Sequence, residues 1–168
     1  MDLEIGPEDP RAPDVSALLA RHLAHAYEVT PAAHVHALPA ERLQDPGVRM
    51  FGARHAGVLV GVGALRALDE RHAEVKSMHT LAEARGLGVG RALLRRLLAV
   101  AAAGGYQRVS LETGTMAAFA PARRMYLAAG FRPCEPFGDY TVNPYSICMT
   151  LMLCDGPSVV GGALDSAG

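Results

Sequence analysis

The 168-residue chain predicts a single α/β domain, and three observations carry that expectation. The length suits one hydrophobic core rather than two. Half of the residues are hydrophobic and a fifth are charged, the balance of a globular chain. The apolar pattern reads as several strands followed by strand, glycine loop, helix, strand, helix and strand. That middle section is a parallel crossover unit, whose ligands sit at the carboxyl ends of the strands.

Leu3 to Ile5 forms a short first strand, broken by the stretch from Pro7 to Pro13. Val15, Leu18, Leu19, His22 and Leu23 then share one helical face, and Pro31 closes that helix. A short helix is expected from Pro39 to Leu43, and Asp45-Pro46-Gly47 is a turn. Val48 to Arg54 and Val58 to Leu65 are strands around a turn near His55 to Gly57. Glu74 to Thr80 is the next strand. A helix follows the glycines to about Ala103, with Leu94, Leu97, Leu98 and Ala101 in one stripe, and Gly104-Gly105 stops it. Arg108 to Glu112 is a strand, Phe119 to Ala129 a helix ended by Gly130, and Ser146 to Leu153 the last strand. The domain is expected to span 1–154, with 155–168 a loose tail that has little to bury.

A net charge of −1 supplies no general field for nucleic acid or an anionic membrane, so neither is expected as a partner and any anion site must be local. Cys134, Cys148 and Cys154 lack CxxC spacing and clustered histidines, which argues against a disulfide framework or a metal site. The acidic N-terminus has no signal-like apolar stretch, and no run approaches the ~18 apolar residues of a membrane span; a cytoplasmic protein is expected.

The stretch RGLGVGR, from Arg85 to Arg91, precedes the leucine-rich helix. A helix start presents unpaired N–H groups and about half a positive charge, and glycines let a phosphate approach them. A Walker loop fails here, because Gly90 is followed by Arg91-Ala92 and not by lysine and a hydroxyl residue. A dinucleotide loop is closer, with Glu112 where a ribose-binding acid would stand. Yet its third glycine position is Arg91 or Leu93, and LAEA separates the glycines from the strand.

From Glu74 to Tyr140 the chain resembles the GNAT superfamily of acyl-CoA-dependent N-acyltransferases. Its pyrophosphate signature, Gln/Arg-x-x-Gly-x-Gly/Ala, is met by Arg85, Gly88 and Gly90. The run ARRMYLAAGF, from Ala122 to Phe131, resembles its second signature, in which a tyrosine precedes a Gly-Phe pair. LETG, FAPARRMY, CEPFGDY and NPYSICMTL are similar to a group of small bacterial members whose acceptors are mostly unassigned. Many members carry an asparagine seven residues before the tyrosine, where this chain has Phe119.

The resemblance implies a mixed central sheet of about six to seven strands flanked by about four helices. It implies acetyl-CoA as cosubstrate, no metal, and a small amine or amino-acid-like acceptor, and it admits a homodimer. Met78, His79 and Thr80 stand on the strand that pairs with the pantetheine arm, and Arg85, Gly86, Leu87, Gly88, Val89, Gly90 and Arg91 form the pyrophosphate loop. Two other readings stay open: a non-catalytic acyl-CoA sensor on this fold, and a nucleotide-dependent oxidoreductase.

An alkylamine with a pKa near 10.4 is only about one part in two thousand neutral at pH 7, so a base is required. Glu74 stands where family members often carry a strand acid; Glu112, at the carboxyl end of the neighbouring strand, and His79 are the other candidates. Glu74 and His79 have opposite strand parity and share a face only if the strand is bulged. A backbone N–H near Met78 or His79 is the expected oxyanion donor. Tyr126 occupies the family's general-acid position. Tyr27, His34, His36, Tyr140 and Tyr145 are the candidates for the acceptor pocket.

Overall fold

The computed structural model describes residues 1–153; the expected tail, 155–168, lies outside them, as does Cys154. The elements in order are β1 (Glu4–Pro7), α1 (Pro13–Val29), β2 (Val48–His55), β3 (Val58–Ala67), β4 (His72–Thr80), α2 (Val89–Ala103), β5 (Arg108–Gly114), α3 (Ala120–Ala128), β6 (Arg132–Cys134) and β7 (Ser146–Met152). The seven strands form one sheet in the order β1-β2-β3-β4-β5-β7-β6. Every neighbouring pair is antiparallel except β4 and β5, the pair joined by the expected crossover through α2.

Two apolar layers cover the sheet. On one face Leu93, Leu94 and Leu97 of α2 pack with Phe51, Val75, Leu111 and Phe131. On the other, Val15, Leu18 and Leu19 of α1 pack with Leu43, Met50 and Val62. Each helix buries one stripe because its apolar residues recur every three to four positions. Proline at the first turn starts both α1 and α3, where its missing N–H costs nothing.

Three α-helices are present among the described residues where about four were expected. The stretch expected as a helix at 39–43 closes as a 3₁₀ turn, Ala40–Gln44, because Pro46 holds the preceding Asp45 extended and prevents propagation. Strand β6 was not anticipated. It has only three residues, with Pro133 in the middle, and it pairs solely with β7 at the sheet edge, where a missing N–H is tolerated. No helix among the described residues is long and apolar enough to cross a membrane.

The feature that shapes the site lies in the centre of the sheet. Strands β4 and β5 pair only from His72 to Glu74 against Arg108 to Ser110, and beyond that point they run on without pairing to each other. Strand β4 also carries a bulge. Ala64 opposes Lys76 while Val62 opposes His79, so one residue of β3 faces two of β4, and Ser77 takes a φ of 56°. The extra residue reverses the side-chain alternation. Glu74 and His79, of opposite parity in sequence, therefore both face α1.

Candidate active site

The parted strands open onto two cavities that meet. The larger, of about 700 Å³, lies between residues 78–80 of β4, the start of α2 and the start of α3. Its glycine turn is built by the chain itself. After a 3₁₀ turn at Ala82–Ala84, Arg85 is extended, Gly86 has φ 76° and Gly88 has φ 85° as the N-cap of α2. Left-handed backbone at both positions favours glycine. A Cβ on Gly86 or Gly88 would meet no atom within 4 Å, so both would project into open space in front of the helix start. A Cβ on Gly90 would instead lie 3.1 Å from Met125 Sδ, so this glycine also lets α2 approach α3.

All the expected loop and strand residues line this cavity except Leu87, whose side chain is 53 % exposed and stands outside it. The exposed Arg85 and Arg91 flank the turn, with Arg85 Nε donating weakly to the Thr80 carbonyl at 3.4 Å. Exposed helix N–H groups, two permanent cations and no obstructing side chain suit a pyrophosphate. No His, Cys, Asp or Glu cluster among the described residues could hold a metal ion.

The smaller cavity, of about 120 Å³, lies under the segment 34–37 and is bounded by Glu74, Lys76, Ser77, Glu112 and Tyr145. His22, Met78, Phe119, Ala122 and Tyr126 line both spaces and mark their junction. Phe119, in the position of the family's asparagine, is therefore part of the wall.

Glu74 is 1 % exposed and anchors a buried polar triangle. Its Oε2 accepts hydrogen bonds from the Tyr140 hydroxyl at 2.5 Å and from Lys76 Nζ at 3.2 Å, and Lys76 Nζ also donates to the Tyr140 oxygen at 2.6 Å. Its Oε1 has no hydrogen-bond partner, with Arg66 Nη1 3.8 Å away. Tyr140 thus stands behind the cavity and not in its lining, and burial, followed by Glu74, pushes its pKa far up. One Glu74 carboxylate oxygen is thus engaged twice and the other is left without a hydrogen-bond partner.

Glu112 is differently situated. Burial pushes its pKa up to about 7, with Lys76 opposing, the Glu74 carboxyl reinforcing and the Ser146 hydroxyl opposing. Desolvation holds the imidazoles of His79 and His22 down to about 4, with neighbouring cations and imidazoles adding to it, so both are neutral at pH 7. Their rings meet edge-on with centroids 5.3 Å apart. Tyr126 is 6 % exposed, packs edge-on against Phe131, and burial first, then Glu112, pushes its pKa well above the usual phenol. It is held as a protonated donor.

Of the acceptor-pocket candidates, His34, His36 and Tyr145 line the smaller cavity, whereas Tyr27 is 54 % exposed on α1 and lies outside both. His34 packs against Tyr145 with centroids 4.8 Å apart and His36 against Tyr140 at 5.1 Å, joining the segment after α1 to the loop before β7. Sequence reasoning missed Lys76, Ser77 and His22. Lys76 shares the parity of Glu74, a usable signal, but its second partner is Tyr140, 64 residues away. The two free thiols among the described residues take no part: Cys148 is buried and Cys134 is half-buried.

The model of the acetyltransferase (GNAT) family matches residues 17–131. An uncharacterised N-acetyltransferase of Bacillus subtilis, YsnE, is 40 % identical over 151 residues, covering 90 % of this chain and all of that one. YedL of Escherichia coli, also an uncharacterised N-acetyltransferase, is 39 % identical over 151 residues, with 90 % and 95 % covered. An IAA acetyltransferase of Azospirillum brasilense is 35 % identical over 150 residues, with 88 % and 96 % covered. Among solved structures, a Klebsiella pneumoniae protein provisionally assigned as an acyl-CoA N-acyltransferase aligns with a TM-score of 0.74 at 26 % identity, covering 90 % of this chain and 98 % of that one. A GNAT acetyltransferase of Elizabethkingia anophelis with acetyl-CoA bound shares the fold at a TM-score of 0.66 and 18 % identity, covering 90 % and 98 %.

Proposed function

Because the chain belongs to the acetyltransferase (GNAT) family and is by that membership an acyltransferase enzyme, we propose that it transfers acetyl from acetyl-CoA directly to the primary amine of a small-molecule acceptor. The observation that carries this reading is the junction: a groove headed by a glycine turn at a helix start opens, beside Tyr126, into a smaller cavity with its own acid. One space suits a long anionic donor and the other a small acceptor.

The turn from Gly86 to Gly90, with Arg85 and Arg91, holds the pyrophosphate, and residues 78–80 of β4, unpaired on the side of β5, offer backbone groups to the pantetheine arm. Acetyl-CoA supplies a thioester carbonyl and a thiol leaving group, so the net change is one N–C bond formed, one C–S bond broken and one proton released from the acceptor's ammonium form. Glu112 receives the proton from the acceptor nitrogen, since a carboxyl group poised near 7 is half ionised at neutral pH. Tyr126 donates its hydroxyl proton toward the departing sulfur. Glu74, Lys76 and Tyr140 keep the cavity floor polar and fixed.

A thermal unfolding series tests the donor. Acetyl-CoA at a hundred times its Kd should add about 2.7 kcal/mol to folding stability, while NAD and ATP at equal concentration add nothing measurable. Equal stabilisation by NAD would return the loop to a dinucleotide role.

A further inference from the structure

We infer that the acceptor is a primary amine carried on a single aromatic ring, without a carboxylate, and that the smaller cavity receives its ring against His34 and Tyr145 and its nitrogen between Glu74 and Glu112. The inference rests on the acetyl-transfer reading above and names the acceptor class for that site; the bonds made and broken are unchanged.

The chain is poor in aromatics, with no tryptophan, four phenylalanines and five tyrosines. Yet three of those nine rings, Phe119, Tyr126 and Tyr145, line this one small space together with three of the seven histidines, His22, His34 and His36. Its volume of about 120 Å³, at ~10–15 Å³ for each water-sized occupant, admits on the order of ten non-hydrogen atoms, which is one ring with a short arm. Faces and edges of rings attract another ring, and an ammonium group as well, without demanding a hydrogen bond from either.

The polar atoms point the same way. Glu74 Oε1 and Ser77 Oγ are buried without a hydrogen-bond partner, and both residues line the cavity. Native buried polar atoms are rarely left so, and each such case asks for an occupant. Glu74 and Ser77, with the Glu112 carboxyl, offer an entering ammonium one acceptor for each N–H. A carboxylate on the acceptor would meet like charge from Glu74 and Glu112. Lys76 already gives hydrogen bonds to Glu74 and Tyr140, and two carboxyl groups stand beside it.

Steady-state thiol release with saturating acetyl-CoA decides the matter, using 2-phenylethylamine, n-hexylamine and phenylalanine. The kcat/KM for 2-phenylethylamine should exceed that for n-hexylamine by about tenfold, the scale of a ring–ring contact, and that for phenylalanine by about a hundredfold, the scale of like-charge juxtaposition. Tyr145→Ala should bring the ratio of 2-phenylethylamine to n-hexylamine toward one, with a circular dichroism melt confirming that the variant is folded. Equal use of n-hexylamine by the unaltered protein, or a preference for phenylalanine, overturns this inference and leaves acetyl transfer standing. Acetylation of none of the three overturns it too, and if acetyl-CoA binds yet no amine of any kind is acetylated, the acetyl-transfer reading itself has failed.

Discussion

We propose Glu112 and Tyr126 as the two proton-transfer groups, and each makes its own prediction. Glu112 has its pKa raised from 4.5 to about 7 by burial, so the protonated form dominates below that pH and cannot accept a proton. The kcat/KM should therefore rise with pH and level off above about 7 to 8. Glu112→Gln should remove that limb and lower the plateau by about 10²–10⁴-fold, the usual reach of general acid–base catalysis. The same shift bears on stability. An acid whose folded-state pKa is raised stabilises fully below its unfolded value and loses that advantage as pH rises through the folded one, so the variant should melt higher than the original at pH 8 and equally at pH 4. An unchanged pH profile would pass the role of base to Glu74 or His79. Tyr126→Phe keeps the ring against Phe131 and removes one proton donor, so kcat should fall about 10²–10⁴-fold with acetyl-CoA affinity preserved. Full kcat under conditions where chemistry limits turnover would reduce Tyr126 to a core residue. The sequence displayed Tyr126 through its motif, whereas the environment separating Glu112 from Glu74 depends on Lys76 and Tyr140, and their meeting with Glu74 is a tertiary fact.

Among the elements, the glycine turn was readable because its chemistry is local: glycines where the backbone turns left-handed, a helix directly behind, arginines at each end. Gly88→Val tests it. At φ 85° a branched residue is strained by roughly 1–2 kcal/mol, and its side chain would enter the groove. Gly105→Val supplies the control, since Gly105 has φ 83° and equally open space beyond its Cα but lies after α2, away from both cavities. Both variants should lose similar stability, and only Gly88→Val should lose acetyl-CoA affinity in calorimetry. Loss of affinity in neither would remove the turn from the cofactor site. The bulge at Ser77 was not readable. Nothing in the run EVKSMHT marks serine for a positive φ; the bulge appears only when β4 is set in register against β3. Reading β4 as regular kept Glu74 and His79 apart. Strand β6 escaped for the reverse reason, being three residues around a proline that only the edge of an existing sheet makes extended.

At the scale of the whole molecule, the parallel crossover of β4, α2 and β5 followed from the order of elements, while the parting of its two strands did not. Pairing stops after Glu74 and Ser110 although both strands continue, and that gap brings the helix-start groove and the smaller cavity into one path. The cavity's cover was equally hidden, since it joins His34 to Tyr145 and His36 to Tyr140 across most of the chain's length. The central claim is that this path is used, with donor at one end and acceptor at the other. The direct measurement is to incubate the purified protein with acetyl-CoA and a mixture of primary amines, then quantify free thiol and acetylated amine together by mass spectrometry. The account predicts one acetyl group gained by an amine for each thiol released, at a rate that falls in Tyr126→Phe. Thiol release no faster than acetyl-CoA hydrolysis in buffer, with acetyl-CoA demonstrably bound and no amine acetylated, would contradict it.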